Sequence, residues 1–201
     1  PALNNLKSKK KSKQCDKVII YTNNQGPTSW ANLIKNYLNH KISFNLFDQI
    51  IAAYKVNGVH VEKNRTSHIK NVPDLIRCTQ LTPDTEICFI DDQHHKPMEH
   101  DKVTYIYIKP YKYDMQFDNM IDRVLNSKII NSIKDKDKDK LKIDLQREVR
   151  RYRFHVTPKT ELEHKVDIIV SKNLIKNIND FFKTKKQTIK KGIKKNGKSK
   201  T

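Results

Sequence analysis

The chain has 201 residues, enough for one domain with a tail, and a formal net charge of +19 from 41 Lys and Arg against 22 Asp and Glu. No run of eighteen apolar residues occurs, which excludes an apolar membrane-spanning helix, and no signal peptide is visible. Cys15, Cys78 and Cys88 form no C-x-x-C pair, which argues against disulfides and for a reducing, intracellular and cytoplasmic setting.

The charge is unevenly placed. Residues 1–13 carry five Lys and no acid, residues 14–126 carry thirteen basic and thirteen acidic groups, and residues 127–201 carry twenty-three basic and nine acidic ones. Such a tail attracts nucleic acid or an anionic surface through its field. The plainer account is an AT-rich codon bias, since Lys, Asn and Ile are all abundant.

Leu3 and Leu6 predict an amphipathic helix leading into a short β-branched strand, Lys17-Val-Ile-Ile-Tyr-Thr22. That strand stops at Thr22-Asn23-Asn24-Gln25-Gly26-Pro27. Small polar side chains and a glycine at a strand's C-terminal end can hold a phosphate by hydroxyl and backbone N–H, or can simply make a turn. Thr28 or Ser29 is expected to cap a helix in which Trp30, Leu33, Ile34, Tyr37 and Leu38 recur at helical spacing and pack on the sheet. Phe44, Leu46 and Phe47 lead to Ile50–Tyr54, a strand or a helix-to-strand segment, and Val56-Asn57-Gly58-Val59 holds a turn.

Residues 62–69 form a polar loop whose Arg65, Thr66 and Ser67 either line a pocket mouth or do ordinary loop chemistry. Lys70 stands just before a helix that Pro73 opens and that runs through Cys78, where it could bring a point charge to the same phosphate. Thr82-Pro83-Asp84 turns the chain into Glu86-Ile-Cys-Phe-Ile-Asp-Asp92. Four apolar residues running into two carboxylates predict a strand of a parallel sheet, buried on both faces, with ligands beyond its C-terminal end. Adjacent Asp91 and Asp92 repel unless a cation or proton lies between them, and hard oxygen ligands suit Mg²⁺. The bland alternative is an acidic turn with Asp92 capping a helix. His94, His95 and His100, with Asp91, offer a zinc alternative, but their spacing matches no motif.

Val103–Ile108 alternates as an outer strand. Phe117, Met120, Ile121, Val124 and Leu125 predict a helix covering the sheet. Lys134–Lys140 alternates Lys and Asp, as a solvated linker or an exposed helix. Leu145, Val149, Tyr152 and Val156 predict a helix flanked by Arg147, Arg150, Arg151 and Arg153, either a nucleic-acid or acidic-partner surface or a solvated basic face. Val166–Val170 reads as a strand and Leu174–Phe182 as a short helix. The predicted organisation is a core over 1–126, a charged linker over 127–140, a basic extension over 141–182 and a disordered Lys-rich tail over 183–201.

The order apolar strand then Thr22, Lys70 further on, then apolar strand then Asp91-Asp92, resembles the haloacid dehalogenase (HAD) superfamily of phosphohydrolases. Thr22 matches the family's second motif, Lys70 its third and Asp91-Asp92 its fourth, over roughly residues 1–113. The wording Ile-Tyr-Thr-Asn-Asn-Gln, Phe47-Asp48-Gln49-Ile50 and Phe-Ile-Asp-Asp looks like a HAD-like branch of large DNA viruses. More distantly it is similar to phosphatases of the RNA polymerase tail, where a Lys-Asp-Leu segment follows the motif; Lys70 and Asp74-Leu75 approximate it. The resemblance implies a Rossmann-like, mostly parallel α/β sheet and a Mg²⁺-dependent phosphatase. In it Thr22, Lys70 and Asp91 would be catalytic, Thr22, Asn23, Asn24 and Lys70 would bind substrate, and Asp91 and Asp92 would hold the metal.

The family's first motif, Asp-x-Asp-x-Thr/Val, is absent. Asp16 is the only acid before Thr22, and it opens a strand. Asp135 to Asp139 alternates but follows no apolar strand. Either the chain is the C-terminal part of a longer protein or catalysis has been lost. Losing a central strand would strand two hydrogen-bonding edges, which favours the longer protein. The stretch between Thr22 and Lys70 is too short for a full cap domain, so an open site would admit a phosphoprotein, a nucleic-acid end or a small phosphorylated molecule. The rival expectations are a catalytically dead HAD scaffold that binds partners and a nucleic-acid-binding protein acting through its basic tail.

Overall fold

Strand β1 (Ile19–Tyr21) pairs in parallel with β2 (Gln49–Ile51), Ile20 lying opposite Ile50. Alternation decides the faces. Ile19, Tyr21 and Ile51 join one core cluster, while Val18 and Ile20 join another with Leu46 and Phe47. The ladder is extended where Val18 N–H donates to Asp48 Oδ2 at 2.7 Å and Asp48 N–H donates to the Val18 carbonyl at 2.9 Å. Helix α1 (Ala2–Lys11) precedes β1 as expected, and its Leu3 and Leu6 pack with Val18 and Ile20. Helix α2 (Thr28–Lys41) connects β1 to β2, and its N-cap is Pro27 rather than Thr28 or Ser29.

The computed structural model describes residues 1–128, 130, 132–151 and 156–196. It is a mixed α/β fold that divides into two compact units, Pro1–Lys109 with Ile169–Thr201, and Pro110–Ile168. In the first unit a hairpin of β3 (Lys55–Val56) and β4 (Val59–His60) turns at Asn57 and Gly58, φ 49° and 80°. Two successive positive φ values mark the turn that a two-residue hairpin requires, and Asn-Gly supplies them. Helix α3 (Val72–Thr79) starts at Asn71, whose side chain accepts the Asp74 N–H, with Pro73 in the first turn. Its last carbonyls are met from the strands: Lys17 Nζ donates to Thr79 O and Gln49 Nε2 donates to Cys78 O.

Strand β5 (Ile87–Asp91) pairs in parallel with β6 (Val103–Tyr107), and a 3₁₀ turn at Lys96–Met98 lies between them. Beneath α3, one cluster gathers Ile51, Leu75, Cys78, Phe89 and Met98 with Ile19, Tyr21, Ile87 and Val103 packed against it. Both ladders therefore share one core on that face. They do not share hydrogen bonds: among the described residues the strands form three two-stranded ladders, and β1 is not bonded to β5. The ladders are mostly parallel, and among the described residues they do not join into one continuous sheet.

Helix α6 (Glu161–Asn196) crosses the unit division. Its Ile178 and Phe182 cover Ile106, Cys88 and Ile90 on the other face of β5–β6, with Leu6 of α1 in the same cluster. The expected strand at Val166–Val170 is helix, because Thr160 and Glu163 close a capping box that starts α6 before it. Glu163 N–H donates to Thr160 Oγ1 at 3.3 Å, and Thr160 N–H donates to Glu163 Oε2 at 3.2 Å. The backbone is helical through Asn196, where a disordered tail from 183 is expected; residues 197–201 lie outside the described residues.

The second unit holds α4 (Phe117–Leu125), which packs on α5 (Asp135–Arg151). The Lys-Asp run takes the exposed-helix alternative as the start of α5, with Asp135 and Asp137 in the first turn and Arg150 and Arg151 in the last, complementing the helix dipole. Tyr111 and Tyr113 pack edge to face with ring centroids 5.5 Å apart, and Lys159, paired with Asp167, lies over both rings. One further expectation is corrected. Leu38 of α2 packs inward, but Trp30, Leu33, Ile34 and Tyr37 are 41–59 % exposed, so most of that stripe is not covered by the sheet.

Candidate functional site

Thr22 follows β1 directly, and its N–H donates to the Ile51 carbonyl at 3.0 Å. Its Oγ1 accepts the Asn24 N–H at 3.0 Å, and Asn24 Oδ1 accepts the Gly26 N–H at 2.6 Å. These two side-chain turns curl the loop back over the strand end. A Cβ at Gly26 would meet Asn24 Oδ1 at 2.9 Å, so a larger residue there would displace the side chain that accepts the Gly26 N–H. The Thr22 hydroxyl, serving as acceptor, keeps its proton for another acceptor. Asn23 Oδ1 is buried with no protein hydrogen bond among the described residues. A cavity of about 470 Å³ opens beside this loop, lined by Thr22, Asn24, Gly26, Lys35, Ile50 and Ala53 among others.

Lys70 and Asp91 meet. Lys70 Nζ donates to Asp91 Oδ2 at 2.6 Å, and both side chains are nearly buried. Asp91 Oδ1 accepts the Gln93 N–H at 2.9 Å and lies 3.7 Å from His95 Nε2. Lys70 Nζ also lies 5.7 Å from the Tyr21 ring and 5.8 Å from the Phe89 ring, between a β1 and a β5 side chain. A buried ion pair of this kind is held by geometry, and breaking one side leaves an unpaired buried charge. Burial pushes the His95 imidazole below its usual range, and the neighbouring Lys70, His94 and Arg65 charges add to this against the pull of Asp91.

Asp92 is half-buried beside Asp91. Among the described residues no group of three or more His, Cys, Asp or Glu side chains is placed to hold a metal. Of the three histidines only His95 approaches Asp91, while His94 pairs with Glu99 at 3.2 Å and His100 with Asp101 at 2.7 Å, so the set that zinc would need does not converge. The donor chemistry of Asp91 and Asp92 still suits Mg²⁺, which uses one or two carboxylates and keeps several waters.

Three residues of the site carry little signal in the sequence. Arg65 is 1 % exposed rather than at a pocket mouth. Asp74 is 0 % exposed and accepts from Thr66 N–H, Thr66 Oγ1, Asn71 Nδ2 and Arg77 Nη1. It ties the loop before Lys70 to α3. Burial raises its pKa, but the Thr66 and Asn71 hydrogen bonds and the Arg77 charge outweigh that and hold it below the usual carboxylate range. Tyr105 OH donates to Gln93 O at 2.5 Å and accepts His95 N–H at 3.1 Å, which fixes the loop after Asp91.

The arginine surface is less open than its sequence suggests. Arg147 pairs with Asp144 at 3.2 Å and Arg151 with Glu148 at 2.9 Å, both one turn away on α5. Arg150 lies on the same helix, and Arg153 lies outside the described residues. Among the described residues no helix is long and apolar enough to cross a membrane. The chain has no significant match to any family model, curated protein or solved structure.

Proposed function

We propose that the chain is the larger part of a HAD-like, Mg²⁺-dependent phosphohydrolase whose nucleophile comes from a strand outside residues 1–201. The observation that carries this reading is the relation of β1 to β5. Each is parallel to its one partner, each runs into a residue of the proposed site (Thr22 just after β1, Asp91 at the end of β5), and both pack under α3 without bonding to one another among the described residues. Lys70 sits against a ring from each and holds Asp91. A strand inserted between them would meet both open edges and bring its C-terminal end to Thr22, Lys70 and Asp91.

In this reading the Thr22 hydroxyl donates to a phosphoryl oxygen, and the loop amides after it add further donors. Lys70 balances the charge of an incoming carboxylate nucleophile and of the transferring group. Asp91 and Asp92 would hold Mg²⁺, which when bound neutralises phosphoryl charge. The substrate is a phosphomonoester on a protein, a nucleic-acid end or a small molecule.

The test fuses an apolar strand ending in Asp-x-Asp-x-Thr ahead of Pro1 and measures hydrolysis of p-nitrophenyl phosphate with and without Mg²⁺. The expected result is Mg²⁺-dependent turnover that Asp91→Asn lowers by about 10²-fold or more, the usual cost of losing one charge-stabilising group. Turnover indifferent to Mg²⁺ and to Asp91→Asn rejects the reading. Phosphate binding without turnover would instead leave the scaffold alternative, a binding module on the same fold.

A further inference from the structure

Arg65 is a cation buried to 1 % exposure, and among the described residues it has no carboxylate in ion-pair range. Its guanidinium is satisfied by main chain. Nη1 donates to Thr22 O at 3.1 Å and to Ala52 O at 2.9 Å, and Nη2 donates to His68 O at 3.0 Å. The group lies 4.8 Å from the Tyr21 ring centroid, and among the described residues Nε has no hydrogen-bond partner. Burying an unpaired charge is costly, so its persistence calls for an explanation beyond packing.

The three carbonyls belong to three separate places. Thr22 follows β1, Ala52 follows β2, and His68 lies two residues before Lys70. Arg65 itself is anchored on both sides: His60 Nε2 lies 3.3 Å from its carbonyl, and Thr66 beside it is bound to buried Asp74. One planar fork therefore spans both strand ends and the loop that delivers Lys70. A lysine gathers its three donors on one atom and cannot reproduce the span of the fork, in which Nη1 serves two carbonyls and Nη2 the third.

We infer that Arg65 is a positioning residue, bracing the C-terminal ends of β1 and β2 and the Lys70 loop so that Thr22 and Lys70 present their groups to one phosphate. The inference rests on the phosphohydrolase reading above for the ligand, and on the hydrogen bonds alone for the bracing. Its un-neutralised charge also favours an anion at the end of β1.

The experiment uses the full chain, ¹⁵N-labelled, titrated with inorganic phosphate, as wild type and as Arg65→Lys, Arg65→Met and Leu46→Ala. Leu46 is 0 % exposed in a different cluster and serves as a stability control. In the wild type, phosphate is expected to shift the amides of Thr22, Asn23 and Asn24 saturably, with Ala53 at the end of β2 moving in step. Both Arg65 variants are expected to weaken phosphate at least tenfold, while Leu46→Ala, with an equal or larger fall in Tm, stays within twofold of wild type. Before phosphate is added, Arg65→Lys should displace the amides of Asn23, Ala53 and Ile69 together, each following a braced carbonyl.

Wild-type affinity in Arg65→Lys would show that charge alone suffices and overturn the positioning role. Equal weakening by Leu46→Ala would reduce Arg65 to a stability residue and overturn it as well. An unmoved Ile69 in phosphate-free Arg65→Lys would break the link to Lys70 and reject the bracing. Should both Arg65 variants unfold, an Ala53 amide that ignores phosphate in the wild type rejects it. Absence of any phosphate shift in the wild type rejects the phosphohydrolase reading instead, and the phosphate-free spectra still decide the bracing.

Discussion

Asp74 is the carboxylate on which the site loop depends. Its oxygens take hydrogen bonds from Thr66, Asn71 and Arg77, and none of it is exposed. Hydrogen bonds to a charged group contribute about 1.5–3 kcal/mol, so Asp74→Asn should destabilise the chain by about 2 kcal/mol in urea unfolding. The pH dependence follows from direction. The folded pKa of Asp74 lies below the unfolded value of 3.8, so its stabilisation is present above that pH and lost as pH falls through the folded value. His95, lowered from 6.5, acts in the same sense, binding its proton more readily when unfolded. Stability should therefore begin to fall below about pH 6.5 and fall again below about pH 4, the unfolded values of the two groups. In Asp74→Asn the lower step should shrink; a wild-type stability flat from pH 7 to 3 would contradict both assignments. The placement of Thr22 and Asp91 at strand ends and of Lys70 just before α3 was legible, because short apolar runs and a proline in the first helical turn mark those ends. Arg65 was not, because a single Arg in a polar loop looks solvated and its three acceptors are backbone atoms that no residue pattern marks.

At the scale of elements, the strands and α3 follow from short apolar runs, an Asn cap and a proline in the first turn. Helix α6 shows what was missed. Thr160-Glu-Leu-Glu163 is a capping box in plain sight, and it overrides the β-branched stretch at Val166–Val170. Ile178 on that helix is 0 % exposed against β5–β6. Ile178→Ala should cost about 2–5 kcal/mol, the range for truncating a buried aliphatic residue, and should expose the Cys88 thiol to labelling. A change under about 1 kcal/mol would mean that α6 does not cover this ladder. The α2 stripe fails differently: helical spacing marks an amphipathic helix but cannot say whether its partner lies within residues 1–201. Trp30, the single tryptophan, sits on that stripe, half exposed.

Across the whole molecule, charge and packing divide the chain at different places. Charge shifts suggest breaks near 126 and 140, whereas the compact units meet near 109 and 168. The second half of α6 returns to the first unit, where Asn5 Nδ2 donates to Asn179 Oδ1 at 3.2 Å, and such a return leaves no mark in local charge. The basic surplus still has a testable meaning. Residues 184–201 carry eight Lys and lie beyond the buried Phe182. Their deletion should leave Tm unchanged and flatten the salt dependence of DNA binding, since each phosphate contact adds about 0.9 to the slope. A slope unmoved by the deletion would remove the end of the chain as a nucleic-acid contact and return attention to Arg150.

The first helix gives that charge another aspect. Lys7 Nζ donates to the Ile42 carbonyl at 2.6 Å, and Lys10 Nζ donates to the Leu46 carbonyl at 3.1 Å while pairing with Asp48. Lys9 and Lys11 lie over the rings of Phe182 and Phe44. These ammonium groups act as fasteners between the N-terminal helix and the core. An acylating reagent would find Lys7 and Lys10, each donating to a core carbonyl, slower to react than exposed Lys11. To a polyanion, the Lys7 and Lys10 ammonium groups are less available than a formal charge of +19 suggests.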